Sequence, residues 1–230
     1  MGRVILITGA SSGIGFKTAI KLQEKGDTVV WTSRNAETDN EIINHIKGDS
    51  IALNMDVSDE NSVKNTFDKV QQKYGKLDGL INCAGFVDPF SLLMTDFENW
   101  KKTIDINLTG TYLTCKYATL IMKENNNGKI VNVASTAGLT PRPGWSAYAA
   151  AKSGVINFSS AISEELAEYN IKVFIISPGR TATPLRKILA PSEDPTTIMQ
   201  PETVADTIVY CFTEEANVLE GQSLIVRERF

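Results

Sequence analysis

Short runs of β-branched apolar residues alternate with longer amphipathic stretches along almost the whole chain. The short runs predict strands at Val4–Thr8, Thr28–Ser33, Ile51–Asn54, 77–82, 129–134, 171–176 and Ser223–Val226. The amphipathic stretches predict helices over residues 13–25, 59–74, 98–124, 146–169 and 201–214. This alternation is typical of a parallel sheet with crossover helices. We therefore expect an α/β fold. Residues 1–230 would form a single doubly wound Rossmann-type domain, with a mostly parallel seven-stranded sheet and helices on both faces.

The composition disfavours several classes of protein. A chain of 230 residues with a net charge of −4 lacks the basic surface typical of proteins that bind nucleic acid or anionic membranes. No apolar run approaches the ~20 residues of a membrane span, and the run after Met1 is too short for a signal peptide. With one histidine, His45, and three scattered cysteines, the chain is not expected to have a metal site. The spacing of the cysteines predicts free thiols in a reducing compartment. We expect a soluble cytoplasmic protein.

The first predicted strand and helix are joined by the segment Thr8-Gly9-Ala10-Ser11-Ser12-Gly13-Ile14-Gly15. Gly9 permits a tight turn, Gly13 allows the backbone to approach a pyrophosphate, and Gly15 allows helix and strand to pack closely. The N–H groups and the positive dipole end of a helix favour phosphate binding. The residues predicted to hold the phosphates are Gly9, Ser11, Ser12, Gly13, Ile14 and Gly15. Because the spacing differs from the usual G-x-G-x-x-G, glycines that only serve a tight connection are the alternative here.

Tyr148 and Lys152 are four residues apart and therefore lie on one face of a predicted helix. A phenol with a pKa near 10 is a poor base at neutral pH, so it needs a nearby cation that stabilises its anion. The pair suits acid–base chemistry for that reason. Taken alone, the pair favours the simpler interpretation of a partly exposed helix face.

The motifs together resemble the classical short-chain dehydrogenase/reductase family, and within it the 3-oxoacyl-(acyl-carrier-protein) reductases. The matching motifs are the glycine segment, Asn82-Cys83-Ala84-Gly85, Asn107, Ser135, Tyr148-Ala149-Ala150-Ala151-Lys152, Pro178-Gly179 and Thr183. They occur in the family's order and at its spacings, from residue 4 to about residue 184.

The resemblance implies a catalytic set. Tyr148 would exchange a proton with the oxygen of a carbonyl or alcohol substrate. Lys152 would lower the pKa of that tyrosine and bind the ribose of the cofactor's nicotinamide half. Ser135 would hold the substrate oxygen and stabilise its developing charge, and Asn107 would position a water that links Lys152 to solvent.

The same resemblance assigns contacts to the adenosine half of the cofactor. The segment that contains Asn82, Ala84 and Gly85 comes after the fourth predicted strand, and it would support the central sheet and line the side of the adenosine ribose. Asp56 and Val57 resemble the pair that contacts the adenine ring. Cys83, where the family usually has alanine, is interpreted as a small apolar filler and not as a nucleophile.

The segment that would close over the nicotinamide contains Pro178, Gly179, Thr181 and Thr183. Tyr148 and Lys152 are expected to contact this half of the cofactor as well.

The residues after the second strand distinguish the two dinucleotides. An acidic side chain there binds the ribose hydroxyls of NAD, whereas a basic one accommodates the 2′-phosphate of NADP. This chain has Ser33 and Arg34, and no acid. The sequence therefore favours NADP(H). NAD(H) is possible, because the glycine segment lacks the second basic residue that many NADP-dependent members have.

The substrate is left open by the sequence. The substrate loop is predicted at about residues 180–200, and 86–90 with Trp145 are expected to line the pocket mouth. Arg180 and Arg186 flank the loop and are interpreted as solvated arginines in preference to contacts for an anionic substrate. The tail residues 227–229 replace the Asp-Gly-Gly turn of the fatty-acid reductases, which puts an acyl-carrier-protein substrate in doubt.

The resulting hypothesis is an NADP(H)-dependent reductase of a small carbonyl compound, or a dehydrogenase working in the reverse direction. The alternatives are epimerase or dehydratase chemistry through a keto intermediate, and a non-catalytic NADP(H)-binding sensor or scaffold.

The resemblance also implies a homodimer or homotetramer that forms through the two long helices. The residues on the faces expected to make that contact are Tyr112, Lys116, Thr119, Phe158 and Ile162. The alternative is that the apolar members of this set pack on the sheet of their own subunit.

Overall fold

The computed structural model describes residues 2–228, which contain a seven-stranded, entirely parallel sheet. Its strands are β1 (Val4–Thr8), β2 (Thr28–Ser33), β3 (Ile51–Asn54), β4 (Gly79–Asn82), β5 (Gly128–Val133), β6 (Ile171–Pro178) and β7 (Ser223–Val226). The order across the sheet is β3-β2-β1-β4-β5-β6-β7. The predicted α/β Rossmann-type architecture is therefore confirmed.

The connections between the strands contain eight α-helices within the described residues. They are α1 (Gly13–Glu24), α2 (Asn40–His45), α3 (Glu60–Tyr74), α4 (Phe97–Ile104), α5 (Gly110–Met122), α6 (Ser146–Leu166), α7 (Pro184–Leu189) and α8 (Pro201–Tyr210).

Each face of the sheet has its own hydrophobic core. On one face, Ile5 packs with Phe16 of α1 and Val204 of α8. On the other face, Leu6 packs in the same core as Phe67 of α3 and Leu113 of α5. Successive residues of a strand point to opposite faces, so a strand covered on both sides must be apolar throughout. This explains why the strands read as continuous apolar runs.

The prediction of one continuous α-helix over residues 98–124 is wrong for the middle of that range. A five-residue π-helical segment, Asp105–Thr109, separates α4 from α5. Within it, the Asn107 amide group donates to the carbonyl oxygens of Thr103 and Phe86, both at 2.8 Å. The contact with Phe86 is between distant parts of the chain, so helical periodicity does not reveal it. Such π segments are frequent at functional sites.

Several element boundaries also differ from the predictions. The helix predicted over 59–74 begins at Glu60, because the Asp59 carboxylate caps it by accepting the N–H of Asn61 at 2.9 Å. The short helix α2 was not predicted, whereas α7 agrees with the expectation of a short helix within the predicted loop. The last long helix ends at Tyr210 instead of residue 214.

The topology opens a crevice beside β1. The chain continues from β1 to β2 on one side and from β4 to β5 on the other, so the connections diverge at the carboxyl ends of β1 and β4. Open α/β sheets bind ligands at such a switch point. Among the helices of residues 2–228, none has the length and apolar character needed to cross a bilayer.

Candidate active site

A cavity of about 930 Å³ lies in the crevice and brings most of the predicted site residues together. Those that line it are Gly9, Ser11, Ser12, Gly13, Ile14, Gly15, Ser33, Arg34, Asp56, Val57, Ala84, Gly85, Ser135, Tyr148, Lys152, Pro178, Gly179, Thr181 and Thr183. Asn82 and Asn107 do not belong to the lining. The volume is within the range of protein sites for small molecules and cofactors.

Two glycines of the glycine segment lie directly against neighbouring backbone atoms. Gly9 has φ +65°, and a Cβ at this position would lie 2.7 Å from the backbone nitrogen of Ala84. A Cβ on Gly15 would lie 2.4 Å from the carbonyl oxygen of Gly9. Gly9 therefore excludes a side chain through its backbone conformation and its packing, and Gly15 excludes one through its packing.

The first turn of α1 is open toward the cavity. The Ser12 side chain does not cap the helix, and its first turn has no acidic residue. The helix residues Gly13, Ile14 and Gly15 line the cavity. Exposed N–H groups at a helix start bind phosphate through hydrogen bonds and the helix dipole. This end of the cavity fits the pyrophosphate of a dinucleotide.

Thr8 fixes the cavity wall after β4, a role that the sequence interpretation missed. Its hydroxyl oxygen accepts the N–H groups of Cys83 and Ala84 at 3.1 and 3.0 Å.

Burial raises the pKa of the Cys83 thiol to about 12. Cys83 is therefore a protonated, unreactive thiol near neutral pH, consistent with the predicted filler role.

The adenosine end of the cavity carries one exposed cation and one internally bonded carboxylate. Arg34 is exposed and follows β2 directly. The Asp56 carboxylate accepts the N–H and the hydroxyl of Ser58, at 2.9 and 2.6 Å. The carboxyl end of β2 itself is Ser33, so no acid stands where NAD-dependent enzymes bind the ribose hydroxyls.

Ser135, Tyr148 and Lys152 lie together at the other end of the cavity. Lys152 is only 5% exposed, and its Nζ donates to the carbonyl oxygen of Val133 at 2.9 Å. The same Nζ lies 5.8 Å from the centroid of the Tyr148 ring. The helical spacing therefore brings the cation to the phenol, as the sequence predicts.

Burial dominates the titration of this group. It raises the pKa of Tyr148 to about 12, and a hydrogen bond with Ser135 opposes the rise. Burial also lowers the pKa of Lys152 to about 8. In this structure burial dominates the pKa of Tyr148, and the expected lowering of that pKa by Lys152 stays a prediction. Tyr148 keeps its proton at neutral pH, and Lys152 is the group that titrates near it.

Gly138 positions the turn that begins with Ser135, and the sequence interpretation missed it. Ser135 begins a short 3-10 turn, Thr136–Gly138, and its hydroxyl oxygen accepts the N–H of Ala137 at 3.1 Å. A Cβ on Gly138 would lie 2.7 Å from the carbonyl carbon of Lys152. The glycine thus lets the serine turn rest directly on the helix that carries Lys152.

Two predicted site residues lie behind the cavity wall. Asn82 donates to the Oδ1 of Asn132 at 2.8 Å and accepts the hydroxyl of Thr114 at 2.8 Å. It therefore joins strands and a helix inside the core, and the predicted ribose contact is not seen. Both N–H groups of the Asn107 amide are used by Phe86 and Thr103, so its water-positioning role stays a prediction.

The substrate end has an aromatic wall. Phe86 and Trp145 line the cavity, whereas Val87 packs behind Tyr148. Pro89 and Phe90 line a separate small hollow, so only part of the predicted mouth is correct.

Of the two loop arginines, Arg180 is exposed as expected, whereas Arg186 is not. Glu193 binds the Nε and Nη2 of Arg186 at 2.6 and 2.8 Å, and it binds Arg180 at 3.3 Å. The pairing with Arg186 is bidentate and half-buried, which contradicts the interpretation of that residue as a free surface cation.

Comparison with known proteins adds independent findings. The family model described as short chain dehydrogenase matches residues 3–194. The chain is 34% identical to the 3-oxoacyl-(acyl-carrier-protein) reductase FabG of Thermotoga maritima, over 96% of this chain and 94% of that protein. The solved structure of ElxO with NADP bound is 28% identical, has a TM-score of 0.90, and is matched over 98% of this chain and 97% of that one. The solved structure of the 3-ketoacyl-(acyl-carrier-protein) reductase of Brucella melitensis complexed with NADH is 28% identical and has a TM-score of 0.90. It is matched over 98% of this chain and 96% of that one.

Proposed function

The chain belongs to the short-chain dehydrogenase family and is an NAD(P)-dependent oxidoreductase of CH–OH or carbonyl groups, and we propose that it uses NADP(H) with Tyr148 as the acid/base. The observation that carries the proposal is the joint lining of one cavity by the glycine segment at one end and by Ser135, Tyr148 and Lys152 at the other.

The residues present fit a nicotinamide dinucleotide. The open first turn of α1 would hold its pyrophosphate, and Asp56 with Val57 would line the adenine. Pro178 and Gly179 would lie against the nicotinamide. When bound, the reduced cofactor supplies the hydride for the carbonyl carbon.

The preference for NADP(H) rests on Arg34. A planar guanidinium matches a phosphate, and the end of β2 offers no carboxylate that would repel it. Relatives by structure have been solved with NADP and with NADH, so both dinucleotides are compatible with this fold.

The proton chemistry belongs to this chain's own residues. Tyr148 holds its proton at neutral pH, because its pKa is about 12, and would give it to the carbonyl oxygen during reduction. Ser135 would donate a hydrogen bond to the same oxygen and stabilise the charge that develops there. Lys152, charged below about pH 8, would favour the tyrosinate that remains.

The organisation of the protein forms part of the proposal. The sheet and the cavity residues span the described chain, so we take it as one domain that binds both cofactor and substrate. We also propose a cytoplasmic homo-oligomer. On the helices expected to form its interface, Tyr112 is 44% exposed and its ring meets that of Phe158 edge to face at 6.2 Å.

The test is consumption of NADPH and NADH with a panel of carbonyl compounds that includes keto-sugars, 3-ketoacyl thioesters, diketones and cyclic ketones. We expect turnover with NADPH in preference to NADH. Arg34→Ala should raise the KM for NADPH about 10–100-fold and leave that for NADH unchanged, because a charge-assisted contact to phosphate is lost.

Lys47→Ala is the matched control, since it removes one positive charge from an exposed residue outside the cavity. Equal KM values for NADPH in the parent and in Arg34→Ala would contradict the assignment of Arg34. Failure of both dinucleotides to bind would contradict the proposed function itself.

A further inference from the structure

The cavity is far more basic than the chain as a whole. Seven Lys and Arg residues but only three Asp and Glu residues line it, in a chain whose net charge is −4. The basic residues are Arg34, Lys101, Lys102, Arg142, Lys152, Arg180 and Arg186. A concave surface of one sign attracts ligands of the opposite sign.

Pairing within the protein neutralises part of this set. Lys101 pairs with Asp105, and Arg180 and Arg186 pair with Glu193. Across residues 2–228, no carboxylate pairs with Arg34, Lys102 or Arg142. Arg34 belongs to the adenosine end, and the Lys102 amino group lies 4.4 Å from the centroid of the Phe86 ring. Arg142 is therefore the arginine left for the substrate end.

The backbone that carries Arg142 is fixed. The residue stands between Pro141 and Pro143, and the Trp145 N–H donates to its carbonyl oxygen at 3.1 Å. Gly144 follows with φ +80°, so Pro143-Gly144 forms a type II turn. Pro143 restricts the backbone of Arg142, which precedes it, and Pro141 has its own φ fixed, so less conformational freedom is lost when this segment binds a ligand.

The position of this turn links it to the reaction. It connects the Ser135 turn to α6, so catalytic side chains stand at both of its ends. Trp145 and Tyr148 continue the same cavity wall, and the Arg186 guanidinium lies 5.8 Å from the centroid of the Trp145 ring. Because Arg186 is already neutralised by Glu193, its charge is not available to a ligand.

We propose that Arg142 binds an anionic group, a carboxylate or a phosphate, on the carbonyl substrate of this enzyme. The guanidinium fork can donate two parallel hydrogen bonds to either group. The inference rests on the proposed function and narrows its substrate class: the reacting carbonyl belongs to a keto acid or a ketose phosphate.

The test compares neutral and anionic members of matched substrate pairs. The pairs are ethyl acetoacetate and acetoacetate, dihydroxyacetone and its phosphate, and fructose and fructose 6-phosphate. We expect kcat/KM with NADPH to be at least about tenfold higher for the anionic member of one pair. Arg142→Gln should remove that preference and change kcat/KM for the neutral member less than about threefold, whereas Arg142→Lys should keep part of it.

Lys123→Gln provides the control, because Lys123 ends α5 outside the cavity and the variant loses the same charge. Equal kcat/KM values within every pair would overturn the inference and leave the proposed function standing. So would an anion preference that survives in Arg142→Gln.

A second measurement does not require turnover. Titration calorimetry of the NADPH-saturated protein compares 3-hydroxybutanoate with its methyl ester, and glycerol 3-phosphate with glycerol. We expect one anion to bind at least about tenfold more tightly than its neutral partner, and only when Arg142 is present. If no carbonyl is reduced but this preference is found, the proposed function fails while the anion site stands. If no preference is found in binding or turnover, the inference is wrong.

Discussion

Two buried polar clusters lie close together in this molecule and are satisfied in different ways. The core network consists of Asn82, Asn132, Thr114 and Ser159, and its amides and hydroxyls bind one another at 2.8 Å. The proposed reaction centre, called the reaction centre below, consists of Ser135, Tyr148 and Lys152. There, the carbonyl oxygen of Val133 is the one acceptor of the Lys152 ammonium among residues 2–228, although an ammonium has three donors.

The difference separates stability from function. Polar groups that are paired inside a core can be removed only by leaving their partners unsatisfied, which destabilises the fold. Groups with unused hydrogen-bonding capacity that face a cavity are available to a ligand, and burial shifts the pKa of two of them. Substitutions in the core network should therefore lower stability, and those in the reaction centre should lower activity.

The largest effect is expected for Lys152→Met. The variant removes the cation that favours tyrosinate, so kcat/KM for carbonyl reduction should fall about 10³-fold, or about 4 kcal/mol. Its free energy of unfolding should change by less than about 1 kcal/mol, because the loss of the Val133 contact is offset by removal of a desolvated charge. Steady-state kinetics and urea denaturation measure the two quantities. A large loss of stability with little loss of rate would reverse the comparison.

Asn132→Ala should do the opposite. The Asn132 side chain is fully buried, accepts from Asn82 and donates to Ser159. Its removal takes one hydrogen bond from each of these two buried partners and should lower the free energy of unfolding by about 3 kcal/mol, with kcat unchanged for the folded enzyme. Urea denaturation would show this against Asn61→Ala, which truncates an exposed helix residue. A destabilisation no larger than that of the control would show that the network is not structural.

The pH profile sharpens the contrast within the reaction centre. Lys152 has a pKa of about 8 and Tyr148 one of about 12, so the tyrosine stays protonated while the lysine loses its charge as pH rises. Between pH 7 and pH 9 we expect kcat/KM for reduction to fall about tenfold, because the charged fraction of Lys152 falls about tenfold. The fall should be absent in Lys152→Met. A constant kcat/KM up to pH 10 in the parent enzyme would show that the charge of Lys152 is not needed.

Thr114→Val tests the edge of the core network and should have the smallest effect. Its hydroxyl donates to the Oδ1 of Asn82, with the carbonyl oxygen of Gly110 as a competing acceptor, both at 2.8 Å. Valine removes the hydroxyl and with it both contacts. Because Gly110 belongs to a helix, whose backbone N–H groups bind its carbonyl oxygens, we expect only the loss of the Asn82 contact to affect stability. We expect a decrease of about 1 kcal/mol in the free energy of unfolding. Thermal unfolding with the parent as reference would detect it, and a decrease as large as that of Asn132→Ala would place Thr114 at the centre of the network.

The same contrast explains what the sequence could predict of the fold. Strands β1 and β2 are buried on both faces, read as continuous apolar runs and have their predicted bounds. The edge strands β3 and β7 also have their predicted bounds, although they are partly exposed. The π segment Asp105–Thr109 could not be predicted, because it accompanies a contact between Asn107 and Phe86 that is distant in sequence. Helix α2 is short, and only Ile42 is buried in it, so it lacks a detectable period.

The site was predictable where its residues form local motifs. The glycine segment and the Tyr148–Lys152 spacing each lie within one connection or one helix. Asn82 was misplaced because a polar residue after an apolar run gives no sign of whether it faces the cavity or the core. Thr8, Gly138 and Arg142 act through contacts or cavity positions that appear only after the strands are assembled.

The central claim is that Tyr148 is the proton donor in a site that otherwise binds its cofactor normally. The most direct measurement is single-turnover oxidation of NADPH by Tyr148→Phe, with the best carbonyl substrate, alongside the Kd for NADPH from its fluorescence. We predict a rate at least about 10³-fold below that of the parent and a Kd within about threefold, because only the hydroxyl is removed. A rate within about tenfold of the parent, at an unchanged Kd, would contradict the assignment of Tyr148.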